Sequence, residues 1–410
     1  MGDITSILDA LATPDGTITS PADLVNNQFG VPLAHLSQQY LFGATGLRLG
    51  VFYSISGNPG TGKSTLVYDW IGQLVAPGED GKGGGIGMIY DLEDKLNPTL
   101  LSSVLAGHKG SASRVKVSKK ATLEQAISHL TSVLIPMLKK SKDYIPAVVD
   151  FDTIGGAATD DVSGKLSTGE TVGKGLNDKP HVVKHFFENI GNLISDLPIV
   201  FFCVNQEKEK IATSAFSAKP KEMMKITGGV SQIYKDGWMG HADYNKLPNG
   251  KLIRIRTVKT SFSDDREIQV QFRWNESGDV SKATDGEDFG GAYGHCMDWP
   301  LATATLLATG PQGVVGTIRS ICDVRLAKDL VTCPTLGLKD VPADVFEKEL
   351  MGNQEIYGKL LTYLKIDRLR DASEYRAYLE ERQAAFGAKP VDKPKRKART
   401  EKSDATAAQP

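Results

Sequence analysis

A mostly parallel α/β sheet flanked by helices, followed by a smaller and mainly helical C-terminal domain, is predicted by three features of the sequence. First, the glycine-rich stretch at residues 57–65, GNPGTGKST, stands between an apolar run at 51–56 and a helical stripe of Leu66, Val67, Trp70, Ile71 and Leu74. Second, residues 145–152, IPAVVDFD, and 198–204, PIVFFCV, are apolar runs suited to strands buried on both faces. Third, segments with helical spacing lie between these runs, so strand and helix alternate as in βαβ units.

The elements follow in order. Residues 1–40 form a lead-in whose Ile4, Ile7, Leu8 and Leu11 make one helical stripe, suited to packing on the chain's own core or on a neighbouring subunit. After the glycine-rich loop and its helix, residues 77–87 read as a surface loop and 86–90 as a second strand, ending in Asp91, Leu92, Glu93 and Asp94. Helical spacing returns at 122–140, and the strand at 145–152 ends in acid. Residues 155–180 lack apolar periodicity and read as a long loop; a helix at 181–197 then leads to the strand at 198–204 and the polar pair Asn205 and Gln206. Residues 207–229 read as a lysine-bearing loop, and 251–260 with 267–274 alternate as paired strands. Composition changes near 276, where a domain boundary is expected, with helices at 343–364 and 372–385 beyond it. The expected divisions are thus 1–40, a core at 41–275, a C-terminal domain at 276–385 and a basic tail at 386–410.

A length of 410 residues suggests two domains, and a net charge of −1 gives no global attraction to nucleic acid. Local clusters must supply any such binding. Cys203, Cys296, Cys322 and Cys333 lack CxxC spacing and read as reduced thiols, and no apolar stretch approaches a membrane span. The expectation is a soluble, cytoplasmic protein.

Gly57, Asn58, Pro59, Gly60, Thr61, Gly62, Lys63, Ser64 and Thr65 follow the pattern GxxxxGK[ST]. Such a loop turns its backbone N–H groups around a phosphate chain and opens a helix whose N-terminus favours negative charge. Lys63 then reaches the β and γ phosphates, and the Ser64 hydroxyl sits on Mg2+. Glu93, at a strand's C-terminal end, is either a general base or an acid at a helix start. Asp150 and Asp152 share one face of their strand and compete as the metal-binding acid. Gln206 is placed to sense a γ-phosphate.

Five blocks together resemble the RecA-type recombinases and, within them, the phage UvsX branch: residues 41–66, LFGATGLRLGVFYSISGNPGTGKSTL; 90–98, YDLEDKLNP; 148–156, VVDFDTIGG; 201–206, FFCVNQ, with a loop ending ITGG; and 254–261, RIRTVKTS. The resemblance covers roughly residues 40–274 and implies a RecA-type P-loop ATPase core. It favours Asp152 over Asp150 as the metal acid, makes Glu93, Lys63 and Gln206 catalytic, and has Lys259 reach into a neighbouring subunit's site. Many members carry a second basic residue where Ser261 stands and an adenine-facing tyrosine where Leu100 stands, and bacterial members tend to an acidic tail where this one is basic.

What the resemblance implies is an ATP- and Mg2+-dependent homologous recombination protein. It would form helical filaments of itself on single-stranded DNA and exchange strands with a duplex, stimulated as a DNA-dependent ATPase and served by single-strand-binding and mediator proteins. Its place would be a bacterial or phage-infected cytoplasm. Lys165 and Lys174 in the first loop, and Lys208, Lys210, Phe216, Lys219, Lys221, Lys225, Gly228 and Gly229 in the second, are the candidate DNA contacts. Two other classes stay open at this point, a RecA-fold hexameric helicase or motor and a regulatory P-loop ATPase with no DNA role.

Overall fold

A computed structural model describes residues 28–78, 84–119, 122–141, 145–160, 178–194, 197–209, 224–226, 237–248, 250–261, 263–273, 297–310, 315–375, 377–378 and 380–381. The chain runs β1 (Phe29–Pro32), α1 (Leu36–Phe42), β2 (Gly46–Arg48), β3 (Phe52–Ser56), α2 (Lys63–Val75), β4 (Ile86–Asp91), α3 (Pro98–Ala106), β5 (Val115–Lys119), α4 (Leu123–His129) and α5 (Ile135–Lys140). It continues through β6 (Ala147–Asp152), α6 (Asp178–Ile194), β7 (Ile199–Val204), β8 (Glu207–Glu209), β9 (Met224–Ile226), β10 (Trp238–Leu247), β11 (Gly250–Thr260) and β12 (Glu267–Arg273). Last come β13 (Met297–Asp298), α7 (Trp299–Thr309), α8 (Val315–Ile321), β14 (Arg325–Ala327), β15 (Leu330–Cys333), β16 (Leu338–Pro342), α9 (Ala343–Gly352), α10 (Gln354–Tyr363) and β17 (Arg370–Asp371).

The main sheet has nine strands in the order β13-β12-β11-β10-β3-β7-β6-β4-β5. Every pairing from β10 to β5 is parallel, and the β10–β11–β12–β13 extension is antiparallel. This is the mostly parallel α/β sheet the sequence predicts. Side chains alternate between its faces. Tyr53, Ile55, Val148, Val200 and Phe202 join a core with α2, whereas Phe52, Val149, Phe151, Phe201 and Cys203 join a second core with α4 and α6.

The helix predicted over 122–140 forms with one irregularity, a π turn at Leu130–Leu134 between α4 and α5. Pro136 is the second residue of α5. Its ring lacks an N–H and crowds the carbonyl four residues back, and widening the preceding turn relieves both problems.

Among the described residues, 297–310 and 315–375 share the core of the main sheet. Residues 27–375 form one compact unit, and Trp299, Leu301, Phe346 and Leu360 belong to the same apolar cluster as Trp70 and Ile55. Buried Asp69 on α2 accepts hydrogen bonds from Trp299 Nε1 of α7 at 2.6 Å and Gln73 Nε2 at 2.9 Å, and lies 2.9 Å from His108 Nε2. Buried Glu347 on α9 accepts from Thr303 at 2.6 Å and from the Leu36 backbone N–H at 3.1 Å, so α1, α7 and α9 meet on one carboxylate. The region is also less helical than its spacing suggests, because β14, β15 and β16 form an antiparallel sheet. Among the described residues, no helix is long and apolar enough to cross a membrane.

Candidate functional site

Because β3, β7, β6 and β4 are parallel neighbours, their C-terminal ends and the loops that follow gather at one edge of the sheet. Ile55, Val204, Asp152 and Asp91 stand level across it. Strand β7 lies between the P-loop strand and the acid-bearing strand β6, which delivers Gln206 to the centre of the cluster.

The P-loop leaves β3 with φ of 148° at Gly57, 77° at Gly60 and 90° at Gly62. At Gly57 the chain also passes so close to β10 that a Cβ would overlap the Ala242 carbonyl. Gly62 turns the chain into α2, and Lys63 opens it. The Lys63 ammonium folds back to donate to the carbonyls of Gly57 at 2.9 Å and Asn58 at 2.8 Å. The Thr61 hydroxyl donates to Asn58 O at 3.0 Å. Asn58, Pro59 and Gly60 are exposed, while Thr61, Lys63 and Thr65 are buried. Burial lowers the Lys63 pKa to about 8, against the opposing pull of Asp152, Glu207 and Glu93.

The two candidate metal acids are separated by depth. Asp152, at the end of β6, accepts from the Tyr68 hydroxyl at 3.1 Å and from the hydroxyl of Ser64. Burial raises its pKa, and those two hydrogen bonds oppose the rise. Asp150 is fully buried one pleat deeper, and neither carboxyl oxygen has a partner among the described residues. Burial, reinforced by Asp152, holds the Asp150 pKa well above the usual carboxylate range. The peptide between Asp152 and Thr153 is cis.

The Ser64 hydroxyl beside the Asp152 carboxylate is a hard-oxygen pair of the kind Mg2+ takes, since that ion keeps several waters and completes its shell with phosphate oxygens. No group of three or more His, Cys, Asp or Glu residues among the described ones forms an all-protein metal cage.

Glu93 is held from several sides. Asp91 accepts from the backbone N–H groups of Lys95 and Leu96, each at 3.1 Å, which fixes the loop carrying Glu93. The helix-start role belongs to Asn97, whose side chain accepts from the N–H groups of Thr99 and Leu100 at the start of α3. The Glu93 carboxyl accepts from the Thr153 hydroxyl, from Lys95 Nζ at 2.7 Å, and from Gln206 Nε2 at 3.1 and 3.2 Å to its two oxygens. A Cβ at Gly156 would overlap this carboxyl group. The second glycine of TIGG is therefore what allows Glu93 to lie against the end of β6.

Not all predicted site residues gather here. Lys259 pairs with Met239 on β10 and so stands level with Ser54, back along the sheet from the P-loop. Leu100 packs against the main apolar cluster. Lys208 and Lys225 are paired in register on the β8–β9 hairpin. Lys165, Lys174, Lys210, Phe216, Lys219, Lys221, Gly228 and Gly229 lie outside the described residues, as does the N-terminal stripe.

Two contributors escape sequence reasoning. Lys251, near the start of β11, donates to Gly60 O of the P-loop at 2.6 Å, its ammonium 4.8 Å from the centre of the Tyr244 ring. Glu207 accepts from the Ser56 hydroxyl at 2.6 Å and lies 2.7 Å from His241 Nδ1. Neither spacing nor composition marks these contacts, which join strands far apart in the chain. No protein-family model matches the sequence, and no curated protein matches it.

Proposed function

We propose that the protein is a DNA-dependent ATPase of the RecA type, which polymerises on single-stranded DNA and catalyses homologous pairing and strand exchange. The observation that carries this reading is the single Glu93–Gln206 contact: it joins a candidate general base to the residue that leads into a lysine-bearing hairpin, beside a P-loop. Such a link lets phosphate state be felt at a distant binding loop.

In this reading the P-loop N–H groups cradle the phosphates, and Lys63 exchanges the carbonyls of Gly57 and Asn58 for phosphate oxygens. Ser64 and Asp152 hold Mg2+, which offsets phosphate charge. Glu93 orients the attacking water, with Thr153 and Gln206 fixing its carboxyl group. Lys259, back along β11 from its own P-loop, serves the site of the adjacent subunit, as an arginine finger does elsewhere. Residues 207–229, with the loop at 155–180, contact DNA phosphates without base readout, and base pairing supplies specificity.

Joint-molecule formation by wild-type, Lys63→Ala, Glu93→Ala and Lys259→Ala proteins tests the proposal. All three variants should lose ATP-driven strand exchange, Glu93→Ala with a hydrolysis rate down by about 10²–10⁴-fold. Normal exchange by Lys63→Ala would eliminate the ATP-driven mechanism.

A further inference from the structure

Gln206 is not the only tie between the hairpin and the nucleotide site. Glu207, the first residue of β8, closes a second one on the other side of the P-loop. Its carboxylate accepts from Ser56, the last residue of β3, at 2.6 Å and meets His241 Nδ1 of β10 at 2.7 Å. Its backbone N–H reaches Gly57 O at 3.4 Å, and that same carbonyl accepts from Lys63 Nζ at 2.9 Å. Both side chains are largely enclosed, Glu207 at 8% and His241 at 13% exposure, so the contact is little screened by solvent. Ser56 and His241 are themselves register partners, which fixes the geometry through the sheet.

We propose that Glu207 is a positioning residue that couples occupancy of the P-loop to the β8–β9 hairpin through its contacts with Ser56, His241 and Gly57. The inference rests on the nucleotide reading of the site. Lys63 and the Glu207 N–H share Gly57 O. When Lys63 turns to phosphate, that carbonyl is left to Glu207 and the hairpin base tightens. The other charged groups around the pair are Lys63 at the start of α2, Glu93 beyond Gln206, Arg256 across from His241 on β11, and Asp243 with Arg254 further along the hairpin. None of these replaces the direct His241 contact.

The test is hydrogen exchange at the amides of residues 207–209 and 224–226 in the full chain, with and without Mg–ATPγS, corrected for intrinsic rates. Wild type should show slowing of about tenfold on nucleotide addition. Glu207→Ala should lose the slowing, with a Mg–ATPγS affinity, measured by calorimetry, lower by no more than about the same tenfold. Glu207→Gln keeps an acceptor for Ser56 but drops the charge, and should retain a smaller slowing. It and Ser56→Ala carry the test if Glu207→Ala fails to fold. Full slowing in Glu207→Ala, or loss of Mg–ATPγS binding well beyond that factor, overturns the proposal. A wild type that binds Mg–ATPγS without any change at these amides overturns it alone. A wild type that binds none overturns the nucleotide reading beneath it.

Discussion

Lys63 is enclosed among backbone carbonyls and the Thr61 hydroxyl, and burial lowers its pKa to about 8. The acids around it, Asp152, Glu207 and Glu93, keep the ammonium form dominant at neutral pH. Phosphate binding favours the charged form, so the free protein must take up a proton to bind once the pH exceeds that value. Calorimetric Mg–ATP affinity should therefore be nearly level below pH 8 and weaken by up to about tenfold per unit above it. Lys63→Ala should bind weakly with no such slope, and a wild-type affinity level through pH 9.5 would contradict this assignment. Burial, with Asp152 beside it, raises the pKa of Asp150, and the carboxylate that meets Ser64 is that of Asp152. The sequence placed both acids on one face of a strand but could not tell their depths, because depth depends on Tyr68 and Ser64 arriving from α2.

Elements were legible where apolar runs are long. Strands β3, β4, β6 and β7 and the β11–β12 pair all follow from their runs and alternation. Strand β10 was not, since WMGHADYNKL carries a glycine and a register shift at Met239/Gly240 that spoils its alternation. Missing β10 also hid Lys251 and His241, whose roles depend on that strand lying beside the P-loop. The break in composition near 276 misled for a different reason: a change in loop chemistry does not require a new core, and α7 returns to pack on α2 through Asp69 and Trp299. Asp69→Ala would leave the Trp299 indole N–H and the Gln73 amide without their acceptor, at a cost of about 2–4 kcal/mol. Thermal unfolding followed by tryptophan fluorescence should show a lower Tm in that variant. A variant with unchanged Tm would show that the contact does not hold the two regions together.

At the scale of the whole molecule, one sheet edge gathers residues from five separate segments: the P-loop, the Glu93 loop, the end of β6, the end of β7 and the β10–β11 hairpin. Sequence motifs identified four of these but not how they touch, and the contacts are what suggest coupling. Glu93 and Gln206 share hydrogen bonds, Gln206 and Glu207 begin the hairpin, and Lys259 stands back from its own P-loop. A closed ring and an open filament would both use these parts. Negative-stain images with ATP and single-stranded DNA would separate them by shape. The most direct test of the central claim is steady-state ATP hydrolysis with and without single-stranded DNA, by wild type and Glu93→Gln. The expected result is hydrolysis raised by DNA in wild type and lost in Glu93→Gln, with Mg–ATP binding retained. Hydrolysis indifferent to DNA, or undiminished in Glu93→Gln, would contradict it.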